Sequence, residues 1–206
     1  MVCVGCNNGW MSDLENLTKP VLKPLLRGHT VTLDEMEQMT LRAWIVPSAM
    51  VFEHVGTAPG AHVFYTQDER RAFGDTEFDG SLEPIDGSYI WAFQFRSSRW
   101  AARSNVAGLG LHMVRGGPIT HRLQVTTGVV GRFGLQVLVG RWPKRRRLEL
   151  FDPAVTAWTE ATTFLSPDPP DAINWPPPFS VDDDGYEPVL DRFMKPGFPL
   201  QPRPRR

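Results

Sequence analysis

With 206 residues, of which 41% are apolar and 22% charged, the chain is long enough to bury one sizeable hydrophobic core. It has no stretch approaching the roughly 18 apolar residues of a transmembrane helix, and its first residues lack the basic and apolar regions of a signal peptide. Two cysteines separated by two residues do not form the disulfide framework of a small secreted protein, so we expect a cytoplasmic protein without membrane contact.

The net charge of −1 hides an uneven distribution along the chain. Residues 1–89 contain 6 Lys and Arg against 13 Asp and Glu, and residues 150–206 contain 5 against 9. Residues 90–149 contain 11 against a single glutamate, a balance of +10. Such a block can offer a positive surface to a polyanion. The alternative is that these arginines are solvated residues on strand faces, paired with the acidic flanks.

Local signals predict helices in the first third of the chain. The residues from Ser12 to Glu15 have the spacing of a capping box, which marks a helix start. Pro20 and Pro24 each remove a backbone donor, so we expect two short helices in place of one long one. Gly28 is suited to end the second helix.

Two further capping boxes are predicted, at residues 32–35 and 66–69. After the first, apolar residues recur at three- and four-residue spacings, which indicates an amphipathic helix. Pro47 should bend or break that helix. We assign no chemistry to these elements.

From about residue 88 the spacing of apolar residues changes to two, which predicts β-strands. The first of these strands has one wholly aromatic face, made of Tyr89, Trp91, Phe93 and Phe95. Similar alternation at residues 123–127 and 133–139, followed by the segment LELF at 148–151, predicts an antiparallel sheet of about five strands.

The last part of the chain is rich in proline and should be extended, wrapping over the body of the protein. We therefore predict an α+β fold, with a helical N-terminal segment packed on a mostly antiparallel sheet. The expected division is 1–60 for the cysteine pair and helices, 61–165 for the sheet domain, and 166–206 for the proline-rich extension.

Cys3 and Cys6 have the spacing of half a zinc site, because Cys-x-x-Cys supplies two thiolates on one tight turn. Structural zinc is nearly always four-coordinate, so this pair needs two more ligands. The chain has no other cysteine, and no two of its five histidines lie within five residues of each other. The pair also lacks the preceding strand of a thioredoxin-like redox motif.

The opening stretch VCVGCNNGWMSDLE resembles the downstream half of the HNH-endonuclease motif of bacterial and phage proteins with a zinc knuckle. The segments LRAWIVPSAMVFE and INWPPPFSVDDDGYEPVL resemble the accessory region of such proteins. The resemblance implies that the helical segment is the remnant of a ββα-metal motif, and that the chain is a hydrolase cutting DNA with Mg²⁺ or another divalent cation.

The resemblance also assigns individual residues. Cys3 and Cys6 match the second pair of structural Zn²⁺ ligands, and Asn7 matches the position beside the catalytic metal ion. Trp10 and Leu14 match positions that pack the motif helix. The first Cys-x-x-Cys and the histidine that activates water have no counterpart here, so the active site is expected to be incomplete without an upstream HNH half or another chain.

The sequence is compatible with three functional hypotheses. The first is the C-terminal portion of an HNH-type, metal-dependent DNA endonuclease, and the second is a non-catalytic nucleic-acid-binding or protein-interaction protein with a vestigial cysteine pair. The third is a small-molecule enzyme with a pocket on the aromatic strand face, although such a face is more often sheet core. Under the first two, the residues expected to contact DNA phosphates are Arg96, Arg99, Arg103, Arg141, Lys144, Arg145, Arg146 and Arg147.

Overall fold

The structure is a computed structural model that describes residues 8–54, 64–70, 88–112, 119–141, 148–150, 160–166, 169–191 and 200–202. Its helices and strands follow one another in this order: α1 (Trp10–Arg27), β1 (Val31–Asp34), α2 (Glu35–Phe52), β2 (Ser88–Arg96), β3 (Ala102–His112), β4 (Ile119–Val130), β5 (Phe133–Arg141), β6 (Leu148–Leu150), β7 (Thr163–Leu165), β8 (Ala172–Trp175), β9 (Val181–Asp182), α3 (Tyr186–Asp191) and β10 (Leu200–Pro202). The fold is α+β, as the sequence predicts.

Helix α1 is one continuous helix, so the prediction of two short helices was wrong. It begins after Gly9 without a side-chain cap, and the predicted capping box at residues 12–15 lies inside it. It continues through Pro20 and Pro24 because one face is buried in the core, at Leu14, Thr18, Val21, Leu22 and Leu25. Gly28 ends it as predicted, in a left-handed conformation (φ 74°) that L side chains rarely adopt.

Helix α2 begins with a capping box that lies two residues later than predicted. The Asp34 carboxylate accepts a hydrogen bond from the Glu37 backbone N–H, and the Glu37 carboxylate accepts one from the Asp34 N–H (2.8 and 3.0 Å). The residues just before this cap form strand β1, which the sequence did not predict. Pro47 is buried inside α2, and the helix continues beyond it to Phe52 without a break.

The third capping box was predicted correctly. The Thr66 N–H and hydroxyl both donate to the Glu69 carboxylate, at 2.7 and 2.9 Å, and Thr66 Oγ1 accepts from the Glu69 N–H. A helical turn follows at residues 67–70.

Within the described residues, the main sheet has six strands, one more than expected. Five of them lie in the order β3-β4-β5-β2-β7, and β9 pairs in parallel with the end of β2. Strands β3, β4 and β5 follow one another as antiparallel neighbours, while β2, which precedes them in the chain, pairs with β5. This is a Greek-key order, and it brings the end of β2 next to the β4–β5 turn. Two pairs of short strands complete the architecture, β1 with β8 and β6 with β10.

The sheet is buried on both faces by different parts of the chain. On one face, α1 and α2 pack on the side chains of β2 and β5 that include Ile90, Ala92 and Leu135. On the other face, Phe93 and Phe95 pack against residues from β9 and α3. The two-residue alternation predicted for β2 is therefore confirmed. Trp91, Phe93 and Phe95 on its aromatic face are fully buried, and Tyr89 is half-buried.

The core on the helical side is built from distant parts of the chain. It extends from Val21 in α1 to Trp175 in β8, and the Trp175 ring lies 5.6 Å from the Phe133 ring. None of the helices that the structure describes is both long enough and apolar enough to cross a membrane.

Candidate functional site

The predicted arginines Arg96, Arg99 and Arg103 come together at one end of the sheet. Arg96 is the last residue of β2, Arg99 lies in the loop between β2 and β3, and Arg103 is near the start of β3. Because β2 and β3 are separated by β4 and β5, this five-residue loop crosses the end of the β4–β5 hairpin.

The hairpin turn, residues 131–132, is held from three sides. Arg132 C=O accepts from the Phe95 N–H of β2 (2.9 Å), and Gly131 N–H donates to Ala101 C=O just before β3 (2.8 Å). Arg132 N–H donates to Leu26 C=O at the end of α1 (2.9 Å). Gly131 has φ 56°, and an added Cβ would lie 2.7 Å from the Leu26 oxygen, so the turn requires glycine.

A cleft of about 420 Å³ lies beside this turn. Its walls contain both basic and acidic side chains, the basic ones from β2, the loop and the hairpin turn, and the acidic ones from β9 and the turn after it. The lining residues are Phe95, Arg96, Ser97, Ser98, Arg99, Gly131, Arg132, Asp182, Asp183 and Asp184.

Two serines shape the loop side of the cleft. Ser97 Oγ accepts hydrogen bonds from the backbone N–H groups of Arg99 and Trp100, both at 2.8 Å, which fixes the turn. The N–H and hydroxyl of Ser98 both donate to Asp183 Oδ2, at 3.3 and 3.4 Å. The loop is thus tied to the acidic turn across the cleft.

Asp183 is the carboxylate most closely involved with the loop. The Ser97 hydroxyl, the Ser98 N–H and the charge of Arg99 lower the pKa of its carboxyl below 3.8, although partial burial acts in the opposite direction. Asp183 is therefore ionised at neutral pH. Its Oδ2 lies 3.9 Å from Arg99 Nε, so Arg99 is partly neutralised.

The Arg103 guanidinium has more contacts than that of Arg99. Its Nη2 lies 2.8 Å from Glu187 Oε1, and its guanidinium carbon lies 4.4 Å from the Trp100 ring centroid and 4.5 Å from that of Tyr186. These are ion-pair and cation–π contacts. Burial raises the pKa of Tyr186 to about 12 even though Arg103 acts in the opposite direction, so the phenol is neutral under physiological conditions.

Besides Arg99, the exposed cations of the cleft are Arg96 and Arg132. Arg96 Nε donates to Gln94 Oε1 at 3.3 Å, and neither arginine forms an ion pair with any residue that the structure describes. Arg132 was not among the predicted site residues. The sequence does place Arg132 in a short turn between two predicted strands. Only the strand order, in which β2 pairs with β5, shows that this turn lies beside Arg96.

The other predicted basic residues are elsewhere. Arg141 ends β5, and β5 begins at the cleft, so its backbone lies at the opposite end of the sheet, paired with Arg122 of β4. Lys144, Arg145, Arg146 and Arg147 lie outside the described residues. The predicted arginines were expected to contact one DNA backbone together. Among the described residues, Arg96, Arg99 and Arg103 lie at one end of the sheet, and the backbone of Arg141 lies at the other.

The proposed metal-site residues Cys3, Cys6 and Asn7 also lie outside the described residues. Downstream of them, Leu14 is buried in α1, and Trp10 packs against the core cluster that contains Val21 and Leu25. In the part of the chain that the structure describes, no cluster of three His, Cys, Asp or Glu side chains could hold a metal ion.

Comparison with known proteins gave no match to this chain among protein-family models, curated protein sequences or solved structures.

Proposed function

We propose that this chain binds DNA phosphates at the cleft end of its sheet, as the C-terminal portion of an HNH-type, metal-dependent DNA endonuclease. The observation that supports the proposal is the pair of exposed arginines, Arg96 and Arg132, beside the partly neutralised Arg99. Arginine suits this role because its planar fork donates to two phosphate oxygens at once and stays charged at every physiological pH.

In the same proposal, the opening segment is the remnant of a ββα-metal motif, and the proline-rich residues 166–206 wrap over the body. Cys3 and Cys6 would supply half of a structural Zn²⁺ site, and an upstream HNH half or another chain would supply the rest. Asn7 would help to hold Mg²⁺ or another divalent cation. Phosphodiester hydrolysis also needs a base for the attacking water, which Asn7 cannot provide, so the completing partner must provide it.

The binding step is tested by measuring affinity for a short DNA duplex over a range of salt concentrations. Log affinity should fall linearly with log salt concentration, with a slope of about −0.9 for each phosphate contact. Replacing both Arg96 and Arg132 with alanine should make the slope shallower by about 2. Lys19→Ala is the matched control, because Lys19 is an exposed cation on α1 that donates to Asn16 Oδ1, away from the cleft. A salt-independent affinity, or equal effects of all three substitutions, would exclude this DNA-binding surface.

The cleavage step is tested separately with supercoiled plasmid and Mg²⁺ or Mn²⁺. We expect nicking only when an upstream HNH half is supplied in the same reaction, and loss of nicking on Asn7→Ala in that mixture. Zinc content should rise on mixing and stay low in the Cys3→Ser variant. Salt-sensitive binding without nicking in any mixture would favour the alternative function, a non-catalytic nucleic-acid-binding protein with a vestigial cysteine pair.

A further inference from the structure

A short acidic segment, residues 182–187, lies against the predicted DNA-binding arginines. Asp183 Oδ2 is 3.9 Å from Arg99 Nε, and Glu187 Oε1 is 2.8 Å from Arg103 Nη2. Asp182 is the register partner of Arg96 in the parallel β9–β2 pair. Arg99 and Arg103 therefore contact carboxylates more than 80 residues away in the chain, and the backbone of a third acidic residue pairs beside Arg96.

The position of this segment is set by packing and backbone contacts. Val181 and Tyr186, which flank the acidic turn, are buried in the core cluster under Phe95, and Asp182 Oδ1 caps the turn by accepting from Gly185 N–H (2.8 Å). The backbone of β9 pairs with that of β2. The carboxylates are consequently held in front of the arginines whether or not the ion pairs form.

The ion pairs themselves are weak and reversible. The Arg99 side chain is 65% exposed and that of Glu187 is 58% exposed, so water and salt screen both pairs. Such pairs contribute little to folding, but a carboxylate at an arginine occupies the donors that a phosphate oxygen would use. A DNA backbone that reaches this end of the sheet must displace them.

We propose that the acidic segment 182–187 is a built-in competitor of DNA phosphate, which withholds Arg99 and Arg103 from the nucleic acid and so lowers its affinity. The proposal rests on the proposed function, since it describes how the same surface is regulated. In the intact chain, Arg96 and Arg132 make the phosphate contacts. Arg99 and Arg103 contribute only when their carboxylate partners are neutralised or moved.

The test uses the full chain and a fluorescein-labelled DNA duplex, with affinity measured by anisotropy at several salt concentrations. Asp183→Asn frees Arg99, and Glu187→Gln frees Arg103, in each case with almost no change in side-chain shape. Each substitution should tighten binding by about 1.5- to 5-fold, the range expected for an exposed ion pair. The salt slope should also steepen by about 0.9 for each freed arginine.

Asp184→Asn is the matched control. Asp184 lines the same cleft, is exposed and has the same charge, but forms no ion pair with any described residue. It should tighten binding less than Asp183→Asn and leave the salt slope unchanged. Adding Arg99→Gln to Asp183→Asn should remove the gain, because the freed group is then absent. Circular dichroism spectra and melting curves verify that each variant is folded.

The outcomes separate this proposal from the proposed function. If the unaltered chain binds DNA but Asp183→Asn and Asp184→Asn have equal effects with unchanged slopes, net charge explains the result and the competitor proposal is wrong, while DNA binding stands. If the unaltered chain and all folded variants fail to bind DNA at low salt, both proposals are wrong. The competitor proposal is supported if only Asp183→Asn and Glu187→Gln tighten DNA binding, and if adding Arg99→Gln to Asp183→Asn removes that gain in affinity.

Discussion

The contact between Gly134 and Phe93 allows a sharp test of the sheet that carries the cleft. The two residues are register partners in the β2–β5 pair. A Cβ on residue 134 would lie 2.2 Å from Phe93 Cε2 and 2.4 Å from Cζ, closer than non-bonded carbons approach. Gly134 does not have a positive φ, so replacement by alanine introduces no backbone strain. In the folded state, the effect of Gly134→Ala therefore comes from packing alone.

The size of the effect follows from the surroundings of the ring. Phe93 is fully buried, in one core cluster with Val129 and Val181, so its ring cannot move aside without displacing its neighbours. Overpacking of this kind costs about 1–3 kcal/mol. Alanine also restricts the unfolded chain, which offsets about 0.4–1 kcal/mol. We expect a net loss of about 1–2 kcal/mol, equivalent to a melting temperature lower by about 2–8 °C for a chain of this size.

The assay is urea denaturation followed by tryptophan fluorescence, with Gly108→Ala as the matched control. Gly108 lies in β3 of the same sheet, and an added Cβ there would meet no heavy atom within 4 Å. Its replacement should change the free energy of unfolding by no more than about 0.5 kcal/mol. Combining Gly134→Ala with Phe93→Leu should cost less than the sum of the two single substitutions, because the smaller side chain relieves the clash.

Equal stability of Gly134→Ala and Gly108→Ala would refute the described register. So would strict additivity in the double variant, since residues in contact must couple. Either result would mean that β2 and β5 pair in a different register. The placement of Arg96 beside the hairpin turn, which depends on that register, would then also be wrong.

Three further predictions concern single side chains. Asp34→Ala removes the α2 capping box and should lower the free energy of unfolding by about 0.5–2 kcal/mol in urea denaturation, with exposed Glu35→Gln as control. Glu53 is buried and accepts from the Phe64 N–H, so Glu53→Gln should cost about 1–3 kcal/mol in the same assay; an unchanged midpoint would show that this carboxylate is not needed. The folded pKa of Tyr186, about 12, lies above the ordinary value of 10.0, so its stabilising effect is complete below pH 10 and is lost as pH rises toward 12. Phenolate absorbance should show this late ionisation, and Tyr186→Phe should remove it.

The strands were predictable because burial imposes a period of two that is visible in short windows. The alternation at Ile90, Ala92 and Phe93, Phe95 is the clearest case, and each set lies in a separate core cluster. No local pattern revealed the strand order, which places β2 beside β5 and β9 beside β2. That order depends on which faces complement one another after the chain has folded.

The helix boundaries were harder to predict because packing overrode the local signals. Pro20 and Pro24 each cost about 3 kcal/mol inside a helix. Burial of a leucine or valine side chain gains about 1.5–3 kcal/mol, and α1 buries four of them on one face. The helix therefore continues to Gly28, where a left-handed residue ends it.

The sequence indicates the clustering of three of the arginines but not their acidic neighbours. Arg96, Arg99 and Arg103 lie within eight positions of one another, so their proximity follows directly from the sequence. The identity of their acidic partners does not follow from the sequence. Asp183 and Glu187 are brought to these arginines by the parallel β9–β2 pair and by the packing of α3. The sequence also allowed the central arginines to pair with the acidic flanking segments. Arg99 and Arg103 do so, since their ion-pair partners are Asp183 and Glu187.

The turn at residues 131–132 has a consequence for how the protein is assembled. Its three backbone hydrogen bonds reach the end of β2 and the approach to β3, which flank one short loop, and the end of α1, which is far from both in the chain. The cleft is therefore completed only when the whole sheet has formed, and a partly folded chain cannot contain it. A ligand of the cleft must bind the native state alone, so by linkage it should protect the amides of all the central strands from hydrogen exchange, including those it never touches.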